Sequence, residues 1–219
     1  MDNRFANRVA IVTGGASGIG AAIAQRIAAE GGQVVIFDRE TSGLDGANNF
    51  TPMQVDIANE EAVKTAIQRV VEQFGRLDIL VNSAGIVGFT STKIVDYRSE
   101  DFLQVLQINL VGSYYVTKYA IPAMEKNNYG RILLLSSMAG KEGNPGMVGY
   151  STSKAGVIGL VKAIGKEYAE TGITINGMAP AVIRTPMNEK TSPQQLAYLT
   201  ERIPMKRLGT VDEVASMAC

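Results

Sequence analysis

The sequence contains no histidine, and its single cysteine is the last residue, Cys219. The first absence removes imidazole from any proton-transfer scheme, and with it a Ser-His-Asp triad and His-ligated metal sites. The second removes disulfides within the chain and argues against thiolate metal sites and cysteine nucleophiles, so no metal is expected and a reducing, cytoplasmic setting is. No charge is in excess: 21 Lys and Arg balance 21 Asp and Glu. Without a basic surplus or stripe, a nucleic-acid partner is not expected. No apolar run reaches the ~18 residues of a membrane span, so no membrane association is expected either. The opening MDNRFANRVAIVTGG leads from a short apolar stretch straight into glycines and lacks a signal-peptide layout. Proton chemistry in this chain must use Asp, Glu, Lys, Tyr or water.

The 219 residues, 46% of them hydrophobic, suit one domain over 1–219 with a substantial core. Short Val- and Ile-rich runs predict strands at 8–13, 33–37, 51–55, 77–81, 131–135 and 173–178. Helical periodicity predicts helices at 18–30, 59–74, 150–170, 192–203 and 211–219, with 101–124 a long helix or a broken pair. The strands are nearly unbroken apolar runs, as strands buried on both faces should be. Strand and helix alternate, which gives an α/β class with a doubly wound parallel sheet and helices on both faces.

The loop TGGASGIG joins the first strand to the first helix. Gly14 suits a tight turn, Gly18 lets backbone approach a pyrophosphate, and Gly20 lets the helix pack closely. The helix N-terminus adds N–H groups and positive dipole for phosphate. Asp38 ends the second strand in VVIFDRE. A carboxylate there accepts the hydroxyls of an adenosine ribose and repels a 2′-phosphate, which favours NAD over NADP. Arg39 next to it works the other way, and a loop-terminating Asp is the plainer alternative. Asp56 in QVDIAN is either a partner for an adenine amino group or an N-cap for the helix from 59. NSAG, from Asn82 to Gly85, leaves room for a flat ring at the end of the fourth strand. All these loops fall on one edge of the sheet.

Tyr150 and Lys154 in GYSTSKAG lie one helical turn apart, on one face. A phenol with a pKa of ~10 is a poor base at neutral pH. A neighbouring ammonium favours its ionised form and brings it toward working range. Ser137, at the end of the RILLL strand, can hold a substrate carbonyl. Asn109, mid-helix in LQINLVG, suits bending the helix and holding a water that links Lys154 to solvent.

These motifs, with NGMAPAVIRTPM after the sixth strand, run in one order along essentially the whole chain and resemble the short-chain dehydrogenase/reductase family of single-domain Rossmann type. The resemblance implies that Tyr150 is the acid/base, that Lys154 lowers its pKa and binds nicotinamide ribose, that Ser137 polarises the substrate, and that Asn109 completes a proton relay. It implies cofactor contacts at Ser17, Ile19, Ile57, Ala84, Gly85, Pro180, Ile183 and Thr185. The loop after Ser137, with Lys141 and Asn144, and the segment 181–202, with Arg184 and Lys190, are expected to line the substrate pocket, where Lys141, Arg184 or Lys190 can anchor a carboxylate; surface charges facing water are the plainer alternative. Two departures stand out. Pro180-Ala181 replaces a usual Pro-Gly, and the chain stops inside what resembles the penultimate helix, so the final strand is expected to be missing. The full-length form is expected to be a homodimer or homotetramer.

The segments GKEGNPGM, YSTSKAGVIGL and PAVIRTPM are similar to dehydrogenases of 2-keto-3-deoxy sugar acids. The chain also resembles NADPH-dependent 3-oxoacyl-carrier-protein reductases, which need a basic patch for an acidic partner, with Lys118, Lys126 and Arg131 as candidates. A third reading is an NAD-binding regulatory or scaffold protein without turnover; the intact Ser137, Tyr150 and Lys154 set argues against it. The expected activity is hydride transfer between a secondary alcohol or ketone, a small-molecule substrate, and NAD.

Overall fold

Side chains along a strand alternate between two faces, and here both faces are buried. In β1 (Val9–Thr13), Val9 and Ile11 join one core while Ala10 and Val12 join the other. β2 (Gln33–Asp38) divides in the same way, Val35 and Phe37 against Val34 and Ile36. This explains the unbroken apolar strands of the sequence. The computed structural model describes residues 3–44, 50–186, 197 and 200–219.

The described strands form one six-stranded sheet in the order β3-β2-β1-β4-β5-β6, with every neighbouring pair parallel. The others are β3 (Phe50–Gln54), β4 (Ile79–Asn82), β5 (Gly130–Leu135) and β6 (Ile173–Met178). β3 contains Pro52 and lies at an edge, where a missing N–H donor is tolerated. The helices α1 (Gly18–Ala29) and α7 (Val211–Ala218) cover one face, through Ile23, Ala24, Ile27 and Ala215. On the other face, α2 (Glu60–Phe74) contributes Val63, Ile67 and Val70. There α4 (Gly112–Glu125) adds Val116 and Ala120, and α6 (Val148–Glu167) adds Val157. The expected doubly wound α/β architecture is therefore found. Strand order reverses between β1 and β4, and such sheets open a crevice for ligands there.

The stretch expected as a long helix or broken pair is α3 (Ser99–Leu106), a π-helical turn (Gln107–Val111) and α4. Asn109 sits inside that turn and is fully buried. Two further elements were not expected: a short helix α5 (Met138–Glu142), capped by the Ser137 side chain, and a 3-10 turn at Ile94–Asp96. Lys190 and most of the expected helix at 192–203 lie outside the described residues. No helix among the described residues is long and apolar enough to cross a membrane.

Candidate active site

A cleft of about 260 Å³ opens where the strand order reverses. Its floor is the glycine loop: Gly14, Ser17, Gly18 and Ile19. Gly14 has φ +63, and a Cβ on it would come within 2.8 Å of the Ala84 backbone. Any side chain there would push the β1 and β4 loops apart. Ser17 is the N-cap of α1 but makes no side-chain cap bond, which leaves the first-turn amides of α1 directed at the cleft for an anion.

Of the expected cofactor contacts, Asp38, Asp56, Ile57, Ala84, Gly85 and Thr185 also line the cleft. The Asp38 carboxylate accepts the Ala16 N–H at 3.1 Å and the Glu40 N–H at 3.2 Å, which fixes it at the end of β2 against the glycine loop. Asp56 accepts the Ala58 N–H at 2.9 Å, whereas Asn59 itself caps α2 by accepting the Ala62 N–H. The capping alternative for Asp56 is thus taken by Asn59. Phe37, Val55, Ile86, Ile108 and Pro186 line the cleft as well and were not anticipated. The hint they leave in sequence is that each is an immediate neighbour of a residue already singled out: Asp38, Asp56, Gly85, Asn109 and Thr185.

The remaining expected contacts lie elsewhere. Gly20 faces the Gly14 carbonyl, where a Cβ would stand 2.2 Å from the oxygen, so its role is close packing of α1. The Pro180 carbonyl accepts the Met138 N–H at 3.1 Å, and Ile183 is bridged to Gly209. Asn82 is buried, and its amide joins the hydrogen-bonded chain described below. Lys141, Asn144 and Arg184 are exposed and none of them lines the cleft.

Tyr150 and Lys154 sit on α6, behind the cleft wall. A Cβ on Gly85 would be 3.0 Å from Asn109 Oδ1 and 3.6 Å from Lys154 Nζ, so the absence of a side chain at Gly85 brings these groups up to the cleft. Lys154 Nζ donates to the Leu135 carbonyl at 2.8 Å and lies 5.8 Å from the centre of the Tyr150 ring. The same-face placement expected from the spacing is there. Burial acts on both groups: it lowers the Lys154 pKa to about 8 and raises that of Tyr150, while the hydrogen bond with Ser137 pulls the phenol back down. Burial, rather than the ammonium, thus dominates the phenol in this arrangement.

Asn109 acts as a clamp. Its Oδ1 accepts the Ile86 N–H and its Nδ2 donates to the Ile86 carbonyl, both at 2.8 Å. Nδ2 also donates to Ser153 Oγ at 3.0 Å, and that hydroxyl donates to the Tyr150 carbonyl at 2.8 Å. The amide therefore locks the β4 loop to the start of α6. In the π turn the Gly112 N–H reaches back five residues to the Gln107 carbonyl, and the Asn109 carbonyl takes a side-chain donor. Ser113 Oγ donates to that carbonyl and accepts from Asn82 Nδ2 at 2.8 Å. Thr13 Oγ1 then donates to Asn82 Oδ1 at 2.6 Å and accepts the Ala84 N–H at 3.1 Å. One buried polar chain thus runs from the cleft at Ala84 to the helix beneath the phenol.

A glycine-floored cleft with Asp38 at the end of β2, and a half-buried Ser137 and Tyr150 beside a buried Lys154, make the arrangement of a nucleotide-dependent dehydrogenase. Residues 8–196 match the family model described as short chain dehydrogenase. The chain belongs to the short-chain dehydrogenase family and is an oxidoreductase acting on a CH–OH group. It is 42% identical to a 2-dehydro-3-deoxy-L-rhamnonate dehydrogenase (NAD(+)) of Sphingomonas sp. (strain SKA58), over 99% of this chain and 88% of that protein. It is 37% identical to a 3-oxoacyl-[acyl-carrier-protein] reductase of Thermotoga maritima, over 98% of this chain and 89% of that one. Among solved structures, NAD+-bound xylitol dehydrogenase superposes with a TM-score of 0.91 at 30% identity, covering 98% of this chain and 92% of its own.

Proposed function

We propose that the chain is an NAD-dependent dehydrogenase that oxidises a secondary alcohol of a sugar acid, with Tyr150 as the acid/base. The observation that carries this reading is the meeting, across Gly85, of a cleft bearing Asp38 with the buried Lys154 ammonium, which lies 5.8 Å from the centre of the Tyr150 ring. The residues fit a dinucleotide. The Gly14 position excludes a side chain, the α1 amides suit a pyrophosphate, and Asp38 suits ribose hydroxyls while repelling a 2′-phosphate. When bound, NAD supplies the hydride acceptor and a positive ring.

The protein's part is proton handling. Tyr150, ionised as the phenolate, takes the proton of the substrate alcohol and becomes the neutral phenol, and Ser137 beside it orients substrate and base together. Lys154 is held by the Leu135 carbonyl and carries a charge at neutral pH that favours the phenolate. Asn109 holds Ile86 and the start of α6 in register, so that base and cleft wall keep their spacing.

The acyl-carrier-protein reductase reading has the Thermotoga relative in its favour. Two of its candidate basic residues are already engaged: Lys118 pairs with Glu60 at 2.8 Å, and Arg131 donates to the Gly130 and Gly172 carbonyls. Self-association belongs to the same proposal, since Ala155 and Gly159 are exposed on α6 and admit close helix approach; sedimentation would test it. The deciding experiment for function follows the reduced nicotinamide, as its formation from NAD or NADP with sugar acids, polyols and simple secondary alcohols, and as oxidation of NADH or NADPH by a 3-oxoacyl thioester. NAD reduction by a sugar acid supports the reading. Activity only with NADPH and the thioester overturns it.

A further inference from the structure

Tyr97 carries a hydroxyl that the proposed mechanism leaves unused. The phenol follows the 3-10 turn at Ile94–Asp96, and its oxygen is buried with no hydrogen-bond partner among the described residues. Two glycines make room for it. A Cβ on Gly88 would lie 2.8 Å from that oxygen, and a Cβ on Gly149 would lie 3.0 Å from it. Gly149 immediately precedes Tyr150, and Gly88 continues the loop that leaves the cleft through Gly85 and Ile86. The same loop is tied to the segment before α6 by the Thr92 N–H, which donates to the Gly146 carbonyl. Phe89 packs edge-on against the Tyr97 ring at 6.3 Å. The polar tip of the ring is therefore enclosed between Gly149, the residue before the base, and Gly88, two residues beyond the cleft-lining Ile86.

A buried hydroxyl without a partner destabilises a fold, and phenylalanine would fill the same space without that cost. The hydroxyl thus calls for a ligand group. We propose that Tyr97 is a specificity-determining residue whose hydroxyl bonds a hydroxyl of the substrate away from the carbon being oxidised. This rests on the dehydrogenase reading of the site but not on the substrate being an acid. It gives the pocket a preference for polyhydroxylated substrates, because a site built to bond a hydroxyl discriminates against analogues that lack it.

The test compares wild type with Tyr97→Phe on a sugar acid, a neutral polyol and a simple secondary alcohol, with NADH affinity measured beside turnover. The expected result is a roughly tenfold loss of kcat/KM on the polyhydroxylated substrates, mostly in KM, with the simple alcohol and NADH binding unchanged. Equal losses on all substrates, or no loss on any, would overturn the proposal. Gly149→Ala places a methyl group against the hydroxyl and is expected to show the same selective loss. If Tyr97→Phe does not fold, that variant decides. A wild-type enzyme that accepts the polyol but not the acid would refute the acid reading alone, and Tyr97 is then judged on the polyol and the simple alcohol.

Discussion

Lys154 is a buried cation, and the cost of burying it should be visible in stability against pH. Burial lowers its pKa from 10.5 to about 8. The unfolded chain then binds more protons than the folded one between about pH 8 and pH 10.5, so the folded state gains stability as pH rises through that window. Below pH 8 the full cost is present, about 3 kcal/mol for a fall from 10.5 to about 8. Lys154→Met keeps the length of the side chain and removes the charge. It also leaves the Leu135 carbonyl without its 2.8 Å donor, which costs about 1 kcal/mol. At pH 7 the Met variant should therefore be the more stable protein by roughly 2 kcal/mol. Between pH 7 and pH 10 wild type should gain roughly 2 to 3 kcal/mol on the variant, which closes the gap. Urea unfolding of both proteins across that range measures the difference, and titrations elsewhere in the molecule cancel between them. Parallel curves would refute the argument and show that Lys154 behaves as a solvated ammonium in the folded protein.

Asp38→Asn keeps the shape of the side chain and removes the charge that opposes a 2′-phosphate. The ratio of kcat/KM with NAD to that with NADP should fall by roughly tenfold, in steady-state assays with a common substrate. Ser113→Ala leaves the Asn82 amide and the Asn109 carbonyl without their shared partner in a fully buried setting. It should cost roughly 1 to 3 kcal/mol in urea unfolding, and a loss under a few tenths would show that the polar chain contributes little.

Much of this site was legible because its parts are local in sequence. The glycine loop, Asp38 and the Tyr150–Lys154 turn each sit within one loop or one helical turn, so spacing alone places them. Strands were legible because both faces are buried, and even the weak third strand, with its proline, fits an edge position. What escaped the sequence depends on partners far along the chain. Asn82 reads as part of a small-residue loop, yet its side chain bonds Thr13 and Ser113, residues that only the parallel register and the π turn bring together. Asn109 was legible as a misfit in an apolar helix, but not as a clamp on Ile86. Tyr97 gave no signal, since its meaning lies in two glycines distant from it and from each other. Pocket-side charges such as Lys141 and Arg184 were read from loop position alone, which says nothing about direction, and both are exposed.

The central claim is that Tyr150 carries the proton in NAD-dependent alcohol oxidation. Tyr150→Phe removes the one hydroxyl and little else. Turnover and NADH binding should be measured on the same preparation. The account predicts a loss of kcat of roughly 10² to 10⁴ with nucleotide affinity within about twofold of wild type. Retained turnover, or loss of nucleotide binding in step with turnover, would contradict it and give the phenol a structural role.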